Sequence, residues 1–255
     1  MKICDIVGKK LIEREVSPDH SRPAARTSVG IEVELEGVSP ATGLNWWSCV
    51  NDGSLNNGIE YVSEPVWGTS ISDALDEMSA VLAEDPPYLS FRTSIHIHVN
   101  VLDLNPRELE HFIKLSVFYE PALFRLHNDW DRYENIFCVP AKKSTLVQRG
   151  YGSLLHDIRH ECVRGDYVAS KYAALNPNSV ATFGTLEFRH MGGSADMSRV
   201  SEWINLLLQL KVSAQEKIPF DQPKKVFGKY FSQLTLKPED TEDGWNMLEF
   251  IDLRG

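Results

Sequence analysis

Apolar and polar residues alternate along three segments of the chain, strictly so in residues 29–37, and such alternation is typical of β-strands with one buried face. A fourth, short strand is predicted after the turn-rich residues 51–57. The four predicted strands cover residues 29–37, 58–66, 93–101 and 181–191. Elsewhere, apolar residues recur every three to four positions, as they do along one side of an α-helix. The predicted helices cover residues 72–84, 105–120, 153–162 and 196–212, and further helical stretches are expected after Pro219.

Two of the predicted helices begin with recognisable N-terminal signals. Asn105 can cap a helix in which Pro106 takes the first position and Glu108 the third, and this helix is expected to continue past Glu120. Asp196 is the expected start of the long helix that follows the last strand. Because strands and helices follow one another without a regular βαβ rhythm, the sequence predicts an α+β fold with a mostly antiparallel sheet.

Composition and charge narrow the function classes. The chain has 255 residues, 42% of them hydrophobic, and its 36 acidic and 26 basic residues give a net charge of −10. An acidic chain without a cluster of basic residues lacks the positively charged surface that binds nucleic acids. No stretch approaches 18 consecutive apolar residues and no signal peptide is apparent, so we expect no membrane span and a cytoplasmic location. The four cysteines contain no C-x-x-C pair and are expected to be reduced.

The predicted strands carry unusual polar faces. A solvated strand face usually mixes Thr, Ser, Lys and Gln, but these faces hold glutamates, two histidines and an arginine, and no lysine. Neighbouring glutamates repel one another unless a positive charge lies between them. An oxygen-rich set with one or two imidazoles suits Mg²⁺ or Mn²⁺ better than Zn²⁺. The residues concerned are Glu32, Glu34, Glu60, His96, His98, Glu187 and Arg189.

Five motifs in order resemble the amidoligase family, which belongs to the glutamine synthetase and glutamate–cysteine ligase superfamily. The motifs are G-I-E-V-E (30–34), D-G-S…E-Y-V-S-E-P (52–65), S-I-H-I-H-V-N (94–100), K-Y-A-A-L-N (171–176) and G-T-L-E-F-R-H (184–190). The resemblance covers about residues 29–210 and implies a single catalytic domain over 1–255. It leaves residues 1–28 as an N-terminal extension and 215–255 as a helical C-terminal segment.

The resemblance implies a fold and an activity. The expected fold is a curved, mostly antiparallel sheet of the glutamine synthetase catalytic-domain type, with helices on its outer face. The expected activity is ATP-dependent ligation of a carboxylate to an amine through an acyl phosphate, with two or more Mg²⁺ or Mn²⁺ ions. The substrates would be small-molecule or peptide carboxylates and amines. The sequence contains neither a P-loop nor a G-x-G-x-x-G motif, so the expectation of ATP rests on the resemblance alone.

The resemblance also assigns roles to individual residues. The expected metal ligands are Glu32, Glu34, Glu60, His96 and Glu187. The expected contacts to nucleotide or phosphate are His98, Arg189, Lys171 and Arg132. Arg189 would also stabilise the transferring phosphate, and Glu64 and Asp52 are candidates to accept the proton of the amine. The family usually has glycine where this chain has Ser94.

Two other functions remain open at this point. A metal-dependent hydrolase could use the H-x-H strand to activate water, although it would not need all four glutamates together. A non-catalytic relative could bind a nucleotide or a peptide, although a decayed site would be expected to lose some of its acidic and histidine positions.

Overall fold

A computed structural model describes residues 1–7, 26–126, 130–133, 135–144 and 172–252. In these residues six strands form one sheet, in the order β2-β3-β1-β4-β6-β5, and every neighbouring pair is antiparallel. This confirms the predicted mostly antiparallel sheet. The strands are β1 Val29–Glu36, β2 Trp47–Val50, β3 Gly58–Ser63, β4 Ser94–Asn100, β5 Leu175–Asn176 and β6 Thr185–Gly192.

Residues 3–7 are helical and precede the first strand, and the other described helices lie between and after the strands. They are α1 Thr69–Glu84, α2 Pro106–Phe118, α3 Glu120–Leu126, α4 Trp130–Tyr133, α5 Ser179–Phe183, α6 Met197–Gln215, α7 Pro223–Phe227 and α8 Pro238–Asp252, with 3₁₀ turns at Ala141–Lys143 and Gly228–Gln233. The predicted caps are confirmed: Asn105 and Glu108 form a capping box, and Asp196 accepts a hydrogen bond from the backbone N–H of Ser198. Among the described helices, none is long and apolar enough to cross a membrane.

The apolar face of the sheet packs against helices, as predicted. Ile31 and Val33 of β1 and Ile97 of β4 are fully buried on this face. Phe188 of β6 lies 5.6 Å from the ring of Phe112 in α2 and 6.3 Å from the ring of Trp203 in α6, measured between ring centres. Because α2 and α6 cover this face, the polar side chains of the same strands are left to the opposite face.

Two expectations about the elements need correction. The helix that begins after Asn105 ends at Phe118, and a separate helix starts at Glu120. The strand predicted over 181–191 begins later, because residues 179–183 form a helix. That helix ends at Gly184, where φ is 72° and a Cβ atom would lie 2.4 Å from Leu102, so glycine suits both the backbone and the space. The short helix predicted over 153–162 lies outside the described residues.

Candidate active site

The register of the sheet brings the polar residues of four strands onto one face. Glu32 of β1 pairs with His96 of β4, and Glu34 pairs with Glu60 of β3. His98 pairs in turn with Glu187 of β6. These strands form the floor of a cavity of about 860 Å³. Its lining includes Glu32, Glu34, Asp52, Glu60, Arg92, His98, Phe137, Tyr172, Asn176, Thr182, Phe183, Glu187 and Arg189.

Three of these residues could hold a metal ion together. Glu32, His98 and Glu187 each offer one ligand atom, and the three atoms lie within 4.8 Å of one another. Nε2 of His98 lies 3.0 Å from Oε1 of Glu32. Asn176 donates a hydrogen bond of 2.7 Å to Oε2 of Glu187, and Nη1 of Arg189 lies 2.5 Å from Oε1 of the same carboxylate. The carboxylate of Glu187 is therefore fixed before any ion binds.

The triad is an ionic network in the metal-free protein. Burial disfavours the charge on Glu32, but contacts with His96 and His98 outweigh it and lower the pKa of Glu32. Burial likewise opposes the charge on Glu187, yet His98 and Arg189 lower the pKa of that carboxyl. The pKa of His98 is raised because Glu32 and Glu187 outweigh the cost of burial. These carboxylates are ionised and available as ligands.

His96 lies behind the triad rather than in the wall of the cavity. Its side chain is fully buried, and Nδ1 is 2.9 Å from Oε2 of Glu32. Its other nitrogen, Nε2, is 2.8 Å from the hydroxyl of Ser94, which also hydrogen-bonds to Glu34. Both ring nitrogens are thus engaged within the protein. The sequence predicts His96 as the ligand and His98 as the phosphate contact, whereas in the structure His98 belongs to the triad and His96 orients Glu32.

Glu60 differs from the other carboxylates of the cavity. Burial, together with the charges of Glu32, Glu34 and Asp52, raises the pKa of Glu60 to about 8. Carboxylate repulsion, expected throughout the cluster from the sequence, is therefore concentrated at this residue. Asp52 sits nearby on the wall, where its carboxylate accepts hydrogen bonds of 2.8 Å from the backbone N–H and the hydroxyl of Ser54.

The raised pKa of Glu60 predicts how the stability of the metal-free protein depends on pH. The unfolded chain gives up this proton near pH 4.5, whereas the folded protein keeps it until about pH 8. Across that window the wild type should lose stability relative to Glu60→Gln, by less than the full value of about 1.4 kcal/mol per pH unit because solvent screens this partly exposed carboxyl. Urea unfolding in the presence of a chelator at several pH values measures this difference. Glu202→Gln, at an exposed position of α6, should follow the wild type. Parallel pH profiles of the wild type and Glu60→Gln would contradict the prediction.

Alternation along β6 directs Arg189 into the cavity, on the same face as Glu187. The pairing with β4 shifts between Ile95, opposite Met191, and Ile97, opposite Phe188, so that Arg189 and His190 together lie opposite a single residue. Arg189 lines the cavity, while His190 is fully buried on the helix-covered side. Neighbouring strand residues point to opposite faces, which separates these two polar residues. The bulge re-aims the residues that follow them, so that Met191 lies opposite Ile95.

Two of the remaining predicted residues, Arg132 and Glu64, fall outside the cavity wall. Arg132 is buried and donates from Nε to the backbone carbonyl of Arg189 at 3.3 Å, so it supports the strand that carries Arg189. Glu64 is exposed beyond the end of β3 and does not line the cavity. Lys171 lies outside the described residues. The structure therefore brings Asp52 to the cavity, but not Arg132 or Glu64.

Several cavity residues were not assigned to the site from the sequence. Arg92, Phe137 and the α5 residues Thr182 and Phe183 line the cavity but belong to turns or helices with no alternating pattern. Asn176 is the last residue of the motif K-Y-A-A-L-N, and its side chain contacts Glu187. The motif could therefore have indicated that Asn176 belongs to the site.

Comparison with known proteins identifies the family. The family described as "Putative amidoligase enzyme" matches residues 41–211, which is most of the chain. The chain belongs to this family. Comparison with curated proteins finds no match. Within the amidoligase match lie β3, β4 and β6, whereas β1 with Glu32 and Glu34 precedes it. The sheet register joins these two glutamates to the family-matched strands.

The donor set of this amidoligase fits a divalent cation. Glu32 and Glu187 provide carboxylate oxygens, His98 provides an imidazole nitrogen, and Glu34 and Glu60 add carboxylates in the same cavity. Oxygen-rich sets with one imidazole suit Mg²⁺ and Mn²⁺. A cation would also offset the mutual repulsion that raises the pKa of Glu60.

Proposed function

We propose that this amidoligase is an ATP-dependent carboxylate–amine ligase that forms an amide or isopeptide bond through an acyl phosphate and releases ADP. Family membership supports amide ligation. The observation that carries the finer proposal is one cavity in which Glu32, His98 and Glu187 converge beside Arg189. We further propose that the six-stranded antiparallel sheet is of the glutamine synthetase catalytic type, since its polar face holds this cavity.

The proposed cofactors are Mg²⁺ or Mn²⁺ ions. Glu32, His98 and Glu187 would hold one ion, and Glu34 and Glu60 are available for another. When bound, such ions supply positive charge that neutralises phosphate oxygens. His96 would keep Glu32 in position through its 2.9 Å contact, so the chain maintains the ligand geometry without relying on the ion.

The proposed reaction has two steps, transfer of a phosphoryl group to the acid and transfer of the acyl group to the amine. A carboxylate oxygen of the acid forms a bond to the γ-phosphorus of ATP as the bond to ADP breaks. The amine nitrogen then forms a bond to the acyl carbon, phosphate leaves, and the nitrogen loses a proton. Negative charge spread over phosphoryl oxygens is best stabilised by a planar guanidinium, the role proposed for Arg189. Asp52 on the cavity wall is the proposed proton acceptor.

The proposed function is tested by the dependence of ATP cleavage on metal and on co-substrates. The purified chain is incubated with ATP and a panel of small-molecule and peptide acids and amines, with Mg²⁺, Mn²⁺, Zn²⁺ or a chelator. We expect ADP to form with Mg²⁺ or Mn²⁺ only when a suitable acid is present, as followed by phosphorus NMR. Metal-dependent hydrolysis of amides or esters without ATP would instead support the hydrolase.

A further inference from the structure

Two arginines line the cavity, and they differ in whether a carboxylate is paired with them among the described residues. Nη1 of Arg189 lies 2.5 Å from a carboxylate oxygen of Glu187, so its charge is already compensated. Arg92, in the turn before β4, forms no ion pair within the part of the chain that the structure describes. A cavity that is lined by several carboxylates therefore also contains an arginine that none of them neutralises.

The head of Arg92 is held in place by neutral groups. Nη1 donates a hydrogen bond of 2.8 Å to the backbone carbonyl of Ser54. The guanidinium carbon lies 5.0 Å from the ring centre of Phe91 and 5.4 Å from that of Phe137. Cation–π contacts of this kind hold a guanidinium without cancelling its charge. The side chain is thus ordered before a ligand binds, which reduces the entropic cost of binding.

Most of the donors of Arg92 remain available. A guanidinium has five N–H groups, and in the described residues the one hydrogen bond of the Arg92 head is the bond to Ser54. Its Nε atom is buried without a hydrogen-bond partner. Because no solvent-sized atom reaches Nε, the donors that remain for a substrate oxygen lie on Nη1 and Nη2. The planar fork matches the paired oxygens of a carboxylate or a phosphate.

We propose that Arg92 is a second oxyanion-binding residue of the cavity and binds a carboxylate or phosphate group of a substrate. This proposal rests on the proposed function, because the acid and ATP are the two sources of such a group. Arg189 would act where phosphoryl charge develops, and Arg92 would hold a ground-state oxyanion at a second position. Arg92 is accordingly a binding residue that should affect substrate affinity rather than the metal triad.

The proposal is tested by binding, which does not require turnover. Arg92→Lys keeps the charge but loses the planar fork, and Arg92→Gln loses both. The matched control is Arg107→Lys, at an exposed position in the first turn of α2. Calorimetric titrations of the full chain in Mg²⁺ use ADP and inorganic phosphate as phosphate probes, and glutamate and succinate as carboxylate probes. Circular dichroism and melting temperature confirm folding.

We expect Arg92→Lys to weaken one class of probe by about tenfold or more and Arg92→Gln to weaken it further, with Arg107→Lys unchanged. A loss confined to the phosphate probes identifies ATP as the ligand, and a loss confined to the carboxylate probes identifies the acid. Wild-type affinity of both Arg92 variants for every probe overturns the proposal, as does a wild-type chain that binds neither class. Unchanged affinity of the Arg92 variants leaves the ligase proposal standing, whereas a wild-type chain that binds neither class would count against both proposals.

Discussion

Replacing Glu187 by glutamine should reduce ligase activity by about 100-fold or more, because metal-assisted catalysis supplies several kcal/mol of charge stabilisation. Glu187 offers one of the three converging ligand atoms, and it is also the carboxylate that Arg189 contacts. Glutamine retains the shape and one oxygen, so Asn176 can keep its hydrogen bond. The variant should remain folded while binding Mn²⁺ weakly, which electron paramagnetic resonance measures.

The melting temperature of Glu187→Gln should change in the opposite direction from that of Glu60→Gln. The ionised form of Glu187 is favoured in the metal-free fold, since His98 and Arg189 lower its pKa. Glu187→Gln should therefore lower the melting temperature modestly, in contrast to Glu60→Gln, which relieves repulsion. Glu202→Gln controls for the loss of a carboxylate from an exposed position. Unchanged Mn²⁺ affinity in Glu187→Gln would remove this residue from the metal site.

Arg189→Lys should have the second-largest effect, a loss of kcat on the order of 100-fold or more with Mn²⁺ affinity nearly intact. Lysine can retain a charge near Glu187, but an ammonium cannot make the two-pronged contact with phosphoryl oxygens. The ratio of kcat to Mn²⁺ affinity distinguishes this role from a supporting one. Arg107→Lys is again the control. If Arg189→Lys lost metal binding and kcat in equal measure, Arg189 would serve to position Glu187 rather than to stabilise transferring charge.

The sheet was predictable because its signal is local. Alternation in β1 and β4 directly indicates that one face of each strand is buried. The helix cap at Asn105 depends on only four consecutive residues. The strand β2 and the two-residue strand β5 carry too few residues to show a period. These two strands form because the adjacent strands β3 and β6 have unpaired backbone N–H and C=O groups. That pairing depends on the tertiary structure and leaves no local pattern in the sequence.

The site was predictable in its membership but not in its arrangement. Alternation puts His96 and His98 on the same face, yet it cannot tell which of them reaches the cavity. That difference depends on Ser94 and Glu32, which occupy both ring nitrogens of His96. The bulge at Arg189 and His190 depends on the pairing of β6 with β4, which is set by tertiary contacts. Arg92 was not assigned to the cavity for the same reason, since Ser54 and two aromatic rings place it.

The most direct test of the central claim is to trap the acyl intermediate with hydroxylamine. The chain is incubated with ATP, Mg²⁺, hydroxylamine and a panel of carboxylic acids, and hydroxamate and nucleotide products are quantified together. Hydroxylamine attacks an acyl phosphate without needing the natural amine site, so the account predicts hydroxamate, ADP and phosphate in equal amounts. It also predicts that Arg189→Lys suppresses all three products together. Formation of AMP and pyrophosphate would contradict the acyl-phosphate mechanism, because adenylation requires attack at the α-phosphate.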